Sequence, residues 1–253
     1  MSEAPTVPGV AASMPPPDLT TGAPLLEFRG LDASYGPFRA LFDVTLAVRP
    51  GAVTALLGAN GAGKTTVARV ATGLVRPTKG EVWFDGGRID ALRPFRIARA
   101  GMVHAPEGRS VFASLTVREN LELGFRRELG AGGVNAALDR AYELFPRLGE
   151  RAKQIAGTLS GGEQRMLSLA RVMVHPPKLL VADELSLGLA PIVVDEVYRN
   201  LAAIRDAGTA ILLVEQYVGH ALRIADDVVV LTHGCVAYSG PATDLDDIAQ
   251  YLL

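Results

Sequence analysis

A lysine, two threonines and three glycines lie together in the segment GANGAGKTT, residues 58–66. The spacing G-x-x-x-x-G-K-T is typical of a loop whose backbone N–H groups surround a phosphate. In such a loop Lys64 would contact the β- and γ-phosphates and the Thr65 hydroxyl would coordinate Mg²⁺. The alternative is an ordinary glycine-rich turn between a strand and a helix. The residues predicted to bind nucleotide here are Gly58, Ala59, Asn60, Gly61, Ala62, Gly63, Lys64, Thr65 and Thr66.

Two carboxylates end the apolar segment KLLVADE, residues 178–184. At the carboxyl end of a strand beside a phosphate loop, Asp183 would hold Mg²⁺ through water. Glu184 would then act as the general base that polarises the attacking water. Apolar strands that end in acids are common, so this assignment depends on the glycine-rich loop being present in the same chain.

The segment LSGGEQRML, residues 159–167, predicts the start of a helix. Ser160 is a suitable N-cap, and Glu163 stands three residues later, at the position that completes a capping box. Gly161 and Gly162 would leave the backbone N–H groups of the first turn accessible to an anion. A well-capped helix with no ligand is the alternative.

Composition and charge limit the class of protein. The chain has 253 residues, of which 49 % are hydrophobic, and a net charge of −2, which argues against a broad basic surface for nucleic acid. The single cysteine, Cys235, cannot form an internal disulfide and is expected to be an apolar filler. His104, His220 and His233 share no metal-ligand spacing and are expected to be surface or packing residues. With no apolar run of roughly 18 residues and no signal peptide, the chain is expected to be cytosolic.

The pattern of elements predicts an α/β fold. Residues 1–24 are rich in Pro and Ala and predict a disordered tail, followed by β patterns that indicate an antiparallel region. Helical patterns dominate from about 90 to 170, and GAGGVN at 130–135 is expected to be an exposed loop between two helices. After residue 177 strands and helices alternate, which favours a parallel sheet with crossover helices.

The three motifs, in this order and at this spacing, resemble those of the ABC transporter ATPase family, over about residues 25–253. The resemblance implies a P-loop NTPase (RecA-like) core with an antiparallel β subdomain and an inserted α-helical subdomain. It also implies ATP and Mg²⁺ as cofactors and head-to-tail dimers that enclose two ATP molecules. Tyr35 resembles the aromatic residue that stacks on adenine, although it could instead be a half-buried strand tyrosine. The residues implied to contact the nucleotide of the partner are Ser160, Gly161, Gly162 and Glu163.

Four positions depart from the common pattern of the family. Glu107 stands where Gln is frequent; it can still face Mg²⁺ but adds a negative charge there. Gln216 replaces the usual His; it can position the γ-phosphate but cannot titrate. Leu185 replaces a Pro, and Ala190 replaces an Asp, which would remove a polar contact across the dimer interface.

The segments PEGRSVFASLTVRENL, SLGLAP and LLVEQ resemble one branch of the family, the second ATP-binding subunit of branched-chain amino acid importers (LivF-type). This implies an ATPase at the cytoplasmic face of the plasma membrane, with Lys64, Glu184 and Gln216 as catalytic residues. Its implied partners are a sister or identical ATPase, integral membrane permeases and, indirectly, a substrate-binding protein, with no nucleic acid. The alternatives are a soluble ABC ATPase that acts on nucleic acid or ribosomes, and a scaffold that does not hydrolyse nucleotide.

Overall fold

The computed structural model describes residues 23–106, 111–244 and 251. The predicted tail at 1–24 lies almost entirely outside these residues, and so does Glu107. The described chain forms two compact units. The first contains the residues up to His104, Lys178–Asp183 and those from Thr209 onward, and the second contains Ala105–Pro177 and Glu184–Gly208.

A four-stranded antiparallel sheet opens the first unit, with strands in the order β2-β1-β4-β5. Apolar side chains on one face of β1, among them Leu26 and Phe28, are fully buried, which explains the alternating pattern that the sequence shows. The strands are β1 (Leu26–Tyr35), β2 (Phe38–Val48), β4 (Pro77–Phe84) and β5 (Gly87–Arg88).

A six-stranded sheet, in the order β10-β9-β3-β8-β7-β6, forms the rest of the framework of this unit. The strands β9, β3, β8 and β7 are parallel neighbours, and β10 pairs with β9 as an antiparallel hairpin. Every residue of β3, β7 and β8 is buried, as expected for strands covered on both faces. The strands are β3 (Val53–Leu57), β6 (Met102–Ala105), β7 (Leu179–Asp183), β8 (Ala210–Glu215), β9 (Asp227–Thr232) and β10 (Cys235–Pro241).

Helix α1 packs against strands of both sheets in one apolar core, to which Val67 and Val70 belong together with Leu41 and Leu56. The hydrogen bond from the Phe42 N–H to the Gly234 carbonyl, at 2.9 Å, joins β2 to the turn before β10. The helices of this unit are α1 (Lys64–Ala71), α2 (Pro94–Arg99) and α7 (Val218–Ala221).

The second unit is helical: α3 (Val117–Leu144), α4 (Pro146–Glu150), α5 (Gly161–Val174) and α6 (Pro191–Asp206). Helical backbone continues through 131–135, so the loop predicted at 130–135 is wrong. The interruption is a kink at Gly130 alone, whose φ of 69° lies in a region that glycine adopts without strain.

Among the described residues, no helix is both long enough and apolar enough to cross a membrane.

Candidate nucleotide-binding site

The glycine-rich loop joins β3 to α1 as the sequence predicts. Gly63 is the N-cap residue of α1 with φ 106°, and it has no side chain with which to cap the helix. The first N–H groups of a helix have no partner within the helix, and they carry the positive end of its dipole. The loop therefore has the backbone geometry that an anion requires.

Lys64 lies inside this loop rather than in solvent. Its ammonium donates to the carbonyl oxygens of Gly58 at 3.0 Å and Ala59 at 3.2 Å, and the residue is only 4 % exposed. These two acceptors hold the cation against the loop, so a phosphate would meet a charge that is already oriented.

Gly58 allows the loop to pass directly against β9. A Cβ at this position would stand 2.4 Å from the carbonyl oxygen of Leu231, which is much shorter than a van der Waals contact. The glycine is therefore required by close approach to the neighbouring strand, which the sequence pattern alone did not identify.

The carboxyl ends of β3, β7 and β8 lie at one edge of the sheet because the strands are parallel. Leu57 pairs with Glu215, and Asp183 pairs with Val214. The glycine-rich loop, Asp183 and Gln216 therefore follow from the same edge, where ligands of open α/β sheets bind. The structure thus brings together three regions that the sequence assigned separately.

His104 is a neighbour of Asp183 that the sequence did not assign to the site. Its Nε2 lies 4.0 Å from Oδ2 of Asp183 and has no hydrogen-bond partner among the described residues. Burial, followed by the positive charge of Arg69, lowers the pKa of His104 to about 4. The imidazole is therefore neutral at pH 7. Its proximity to Asp183 depends on the fold, which places β6 beside β7.

The residues at this edge fit Mg²⁺. Thr65 supplies a hydroxyl, and Asp183, which is 1 % exposed, supplies a carboxylate; both are the oxygen ligands that Mg²⁺ takes. No group of three His, Cys, Asp or Glu side chains that could hold a metal occurs in residues 23–106 and 111–244. Two protein ligands with phosphate and water are the usual magnesium arrangement, so this donor set suits a metal carried by a nucleotide.

Glu184 has an unusual backbone. Its φ of 47° lies in the left-handed region, which costs energy for a residue with a Cβ and is frequent at functional sites. The guanidinium of the buried Arg165 donates to the carbonyl oxygen of Glu184 at 3.4 Å and to that of Pro106 at 3.2 Å. Arg165 therefore fixes the main chain at Glu184, a contact that the sequence did not predict.

The predicted capping box at the start of α5 is present. Oε2 of Glu163 accepts from the N–H of Ser160 at 3.0 Å and from its hydroxyl at 2.9 Å, while Oγ of Ser160 accepts from the N–H of Glu163 at 3.3 Å. Ser160 and Gly161 are exposed, so the helix start is open to a ligand in this chain.

The remaining assigned positions have defined surroundings. Tyr35, at the end of β1, is 40 % exposed, and its hydroxyl accepts from Nη1 of Arg69 at 3.4 Å. Gln216 is exposed immediately after β8. Leu185 is buried, and Ala190 is the N-cap of α6, where it provides no side-chain hydrogen bond.

The family profile described as "ABC transporter" matches residues 41–186, which is more than half of the chain. The chain belongs to the ABC transporter ATP-binding family. The predicted family is thus confirmed, and this ABC ATPase binds and hydrolyses ATP.

Relatives of this ABC ATPase match along most of their length. It is 41 % identical to the high-affinity branched-chain amino acid transport ATP-binding protein BraG of Pseudomonas aeruginosa, over 83 % of this chain and 90 % of that one. It is 37 % identical to the probable branched-chain amino acid transport ATP-binding protein LivF of Archaeoglobus fulgidus, over 85 % and 91 %. The LivG protein of Escherichia coli, another high-affinity branched-chain amino acid transport ATP-binding protein, is 34 % identical over 90 % and 98 %.

Solved structures confirm the predicted fold class. An ATP-binding subunit of an ABC transporter superposes with a TM-score of 0.78 at 28 % identity, covering 90 % of this chain and 93 % of that one. A nucleotide-free ATP-binding cassette from an ABC transporter gives 0.77 at 26 % identity, covering 87 % and 92 %. This ABC ATPase therefore has the α/β architecture of its family.

Proposed function

We propose that this ABC ATPase drives the import of branched-chain amino acids through separate membrane permeases, from the cytoplasmic face of the plasma membrane. The observation that carries the proposal is the 41 % identity to a branched-chain amino acid transport subunit over nine tenths of that relative's length. The names of the relatives favour this function over a soluble ATPase of nucleic-acid or ribosome processes.

Lys64 and the N–H groups at the start of α1 would bind the β- and γ-phosphates. The two carbonyls that hold the Lys64 ammonium reduce the reorganisation required when phosphate arrives. Thr65 and Asp183 would hold Mg²⁺, which neutralises charge on the phosphates when it is bound. Tyr35 would stack on the adenine, and Glu107 would approach the metal.

Glu184 would accept a proton from the attacking water, because a carboxylate directly after the metal-holding Asp183 is suitably placed along the chain for this task. Gln216 would orient the γ-phosphate through its amide donor and would not exchange protons. The hydrogen bond from Arg165 to the carbonyl oxygen of Glu184 would keep the main chain of this general base in one conformation.

A second ATPase subunit, identical or a sister chain, would complete each site. Ser160, Gly161 and Gly162 would present the N-terminus of α5 to the γ-phosphate bound by the partner. ATP would hold the pair closed, and hydrolysis would release it and move the permeases, to which a binding protein delivers the substrate.

The Lys64→Ala variant tests this proposal in the cells that carry the gene. We expect ATP turnover of the purified variant to fall by roughly 100-fold, because the cation at the phosphates is lost. Uptake of labelled leucine, isoleucine and valine should fall with it, while uptake of labelled glucose should not change.

The Arg140→Gln variant is the matched control, since it alters an exposed ion pair with Glu143 in the second compact unit, whereas Lys64 belongs to the first. Normal leucine uptake in Lys64→Ala cells whose protein has lost ATP turnover would contradict the proposed substrate. Normal ATP turnover in Lys64→Ala would contradict the phosphate-loop assignment.

A further inference from the structure

Glu163 places a negative charge at a helix start that is proposed to receive a phosphate. The first turn of α5 includes Gly161, Gly162 and Glu163, so the carboxylate is attached to the turn whose N–H groups would contact the anion. Like charges repel each other, and the repulsion grows where an interface excludes water. The carboxylate would weaken ATP-dependent closure unless another group compensates its charge.

Arg151 supplies that compensation. Its Nε lies 3.1 Å from Oε1 of Glu163, whereas Oε2 of the same carboxylate accepts from Ser160. One oxygen therefore serves the helix cap and the other forms an ion pair. The side chains are 36 % and 22 % exposed, so the pair is partly shielded from solvent.

A second contact orients the Arg151 guanidinium. Nη1 of Arg151 donates to Oε1 of Gln154 at 3.2 Å, and Nε2 of Gln154 donates to the hydroxyl of Thr158 at 2.9 Å. Residues 154–159 are tied in turn to α5, because the buried Gln164 donates to the carbonyls of Ala156 and Leu159. The arginine is thus held by the same segment that leads into the helix.

We infer that Arg151 is a positioning residue of the nucleotide site, which neutralises Glu163 so that the start of α5 can accept the γ-phosphate of the partner. This inference rests on the proposed role of Ser160, Gly161 and Gly162. Arg151 lies outside all three sequence motifs and acts only through Glu163. Although burial raises the pKa of Glu163, hydrogen bonds from Ser160 and the charges of Arg151 and Arg147 lower it overall, so the carboxylate is ionised at pH 7 and needs a counter-charge.

A double-mutant cycle of Arg151 and Glu163, made in the full chain, tests the inference. In Arg151→Gln we expect the KM for ATP to rise roughly five- to tenfold through charge repulsion, with kcat within about twofold of wild type. Glu163→Gln retains a side chain able to complete the capping box but removes the charge, so its measured KM is the reference value for the double variant. The double variant Arg151→Gln/Glu163→Gln should have the KM of Glu163→Gln alone, since no charge then remains to compensate.

Melting temperatures of the variants separate a change in KM from a loss of folded structure. Arg140→Gln is the matched control for the loss of a positive charge, because it breaks the exposed Arg140–Glu143 pair in the same unit. Arg151→Lys should recover most of the lost affinity. A KM in Arg151→Gln equal to that of Arg140→Gln, or no rescue in the double variant, would overturn the inference.

Ser160→Ala distinguishes this inference from the proposed function. If a folded Ser160→Ala variant hydrolyses ATP with wild-type KM and kcat, the proposed role of the α5 start fails, and the inference fails with it. If Ser160→Ala is defective while Arg151→Gln matches its control, only the inference about Arg151 is wrong.

Discussion

Two adjacent glycines at the start of α5 have different reasons to lack a side chain. A Cβ on Gly162 would stand 2.6 Å from Cγ1 of Val193, on α6, whereas a Cβ on Gly161 would meet only Cδ2 of Leu189, at an ordinary 3.5 Å. Valine has one strongly preferred rotamer in a helix and cannot easily rotate away. Gly162 is thus required by the packing of α5 on α6, and Gly161 is free to serve a ligand.

The variants Gly162→Ala and Gly161→Ala should therefore differ in stability. We expect Gly162→Ala to lower the free energy of unfolding by about 1–3 kcal/mol through overpacking. Gly161→Ala should change it by less than about 0.5 kcal/mol, because the new methyl group has room. Urea denaturation of the two proteins provides the measurement, and equal losses in both would contradict the packing argument.

At the level of elements, α5 and α6 begin in contrasting ways. Ser160 and Glu163 satisfy donors at the start of α5, whereas Ala190 precedes α6 with no side-chain hydrogen bond and no acidic residue follows in the first turn. Pro191 at the first helical position removes one N–H that would otherwise need a partner. The Val193 N–H donates to the carbonyl oxygen of Ala190 at 2.9 Å, so the start of α6 is closed by backbone alone, with no side-chain cap.

Ala190→Asp should stabilise the protein. A carboxylate at the N-cap accepts from the first turn and interacts favourably with the helix dipole, together about 0.5–2 kcal/mol. Thermal unfolding should show a higher midpoint than wild type. The same substitution within the last two turns of α6, Ala203→Asp, is the control and should not raise the midpoint, since its charge lies near the negative end of the dipole. A midpoint for Ala190→Asp at or below that of wild type would show that the helix start is already satisfied.

At the level of the whole molecule, the residues proposed to act on a nucleotide are divided between the two compact units. Lys64, Asp183 and Gln216 belong to the first unit, and Ser160 and Glu184 belong to the second. The phosphate loop and Asp183 are joined by the sheet that forms the core of the first unit, so nucleotide binding there should stabilise that core.

ATP should raise the melting temperature in a concentration-dependent manner, equivalent to about 2.7 kcal/mol at 100 times the dissociation constant. EDTA should reduce this shift in the wild type, because Asp183 would help to hold the Mg²⁺ that accompanies the nucleotide. In Asp183→Asn the shift should be smaller and insensitive to EDTA, and Lys64→Ala should show almost none. Differential scanning fluorimetry of the three proteins, with EDTA added to the wild type and to Asp183→Asn, provides the measurement. An EDTA-independent shift in the wild type would refute the assigned metal role of Asp183.

The amino-acid sequence by itself determined the family, the fold class, the glycine-rich loop and the capping box. The loop and the capping box depend on residues within a few positions of one another, where spacing alone fixes which groups can meet, and the order of three such motifs indicated the family. The error at 130–135 has a local cause: three glycines suggested a loop, but the flanking helical segments continue and only Gly130 leaves helical geometry.

Only the tertiary structure decided which distant residues support the site. The proximity of His104 to Asp183, the hold of Arg165 on Glu184 and the contact of Gly162 with Val193 all join separate elements. The ion pair between Arg151 and Glu163 likewise depends on how the segment before α5 folds back onto it. Such contacts follow from strand order and helix packing, which are set by burial of the whole core and not by the spacing of residues along the chain.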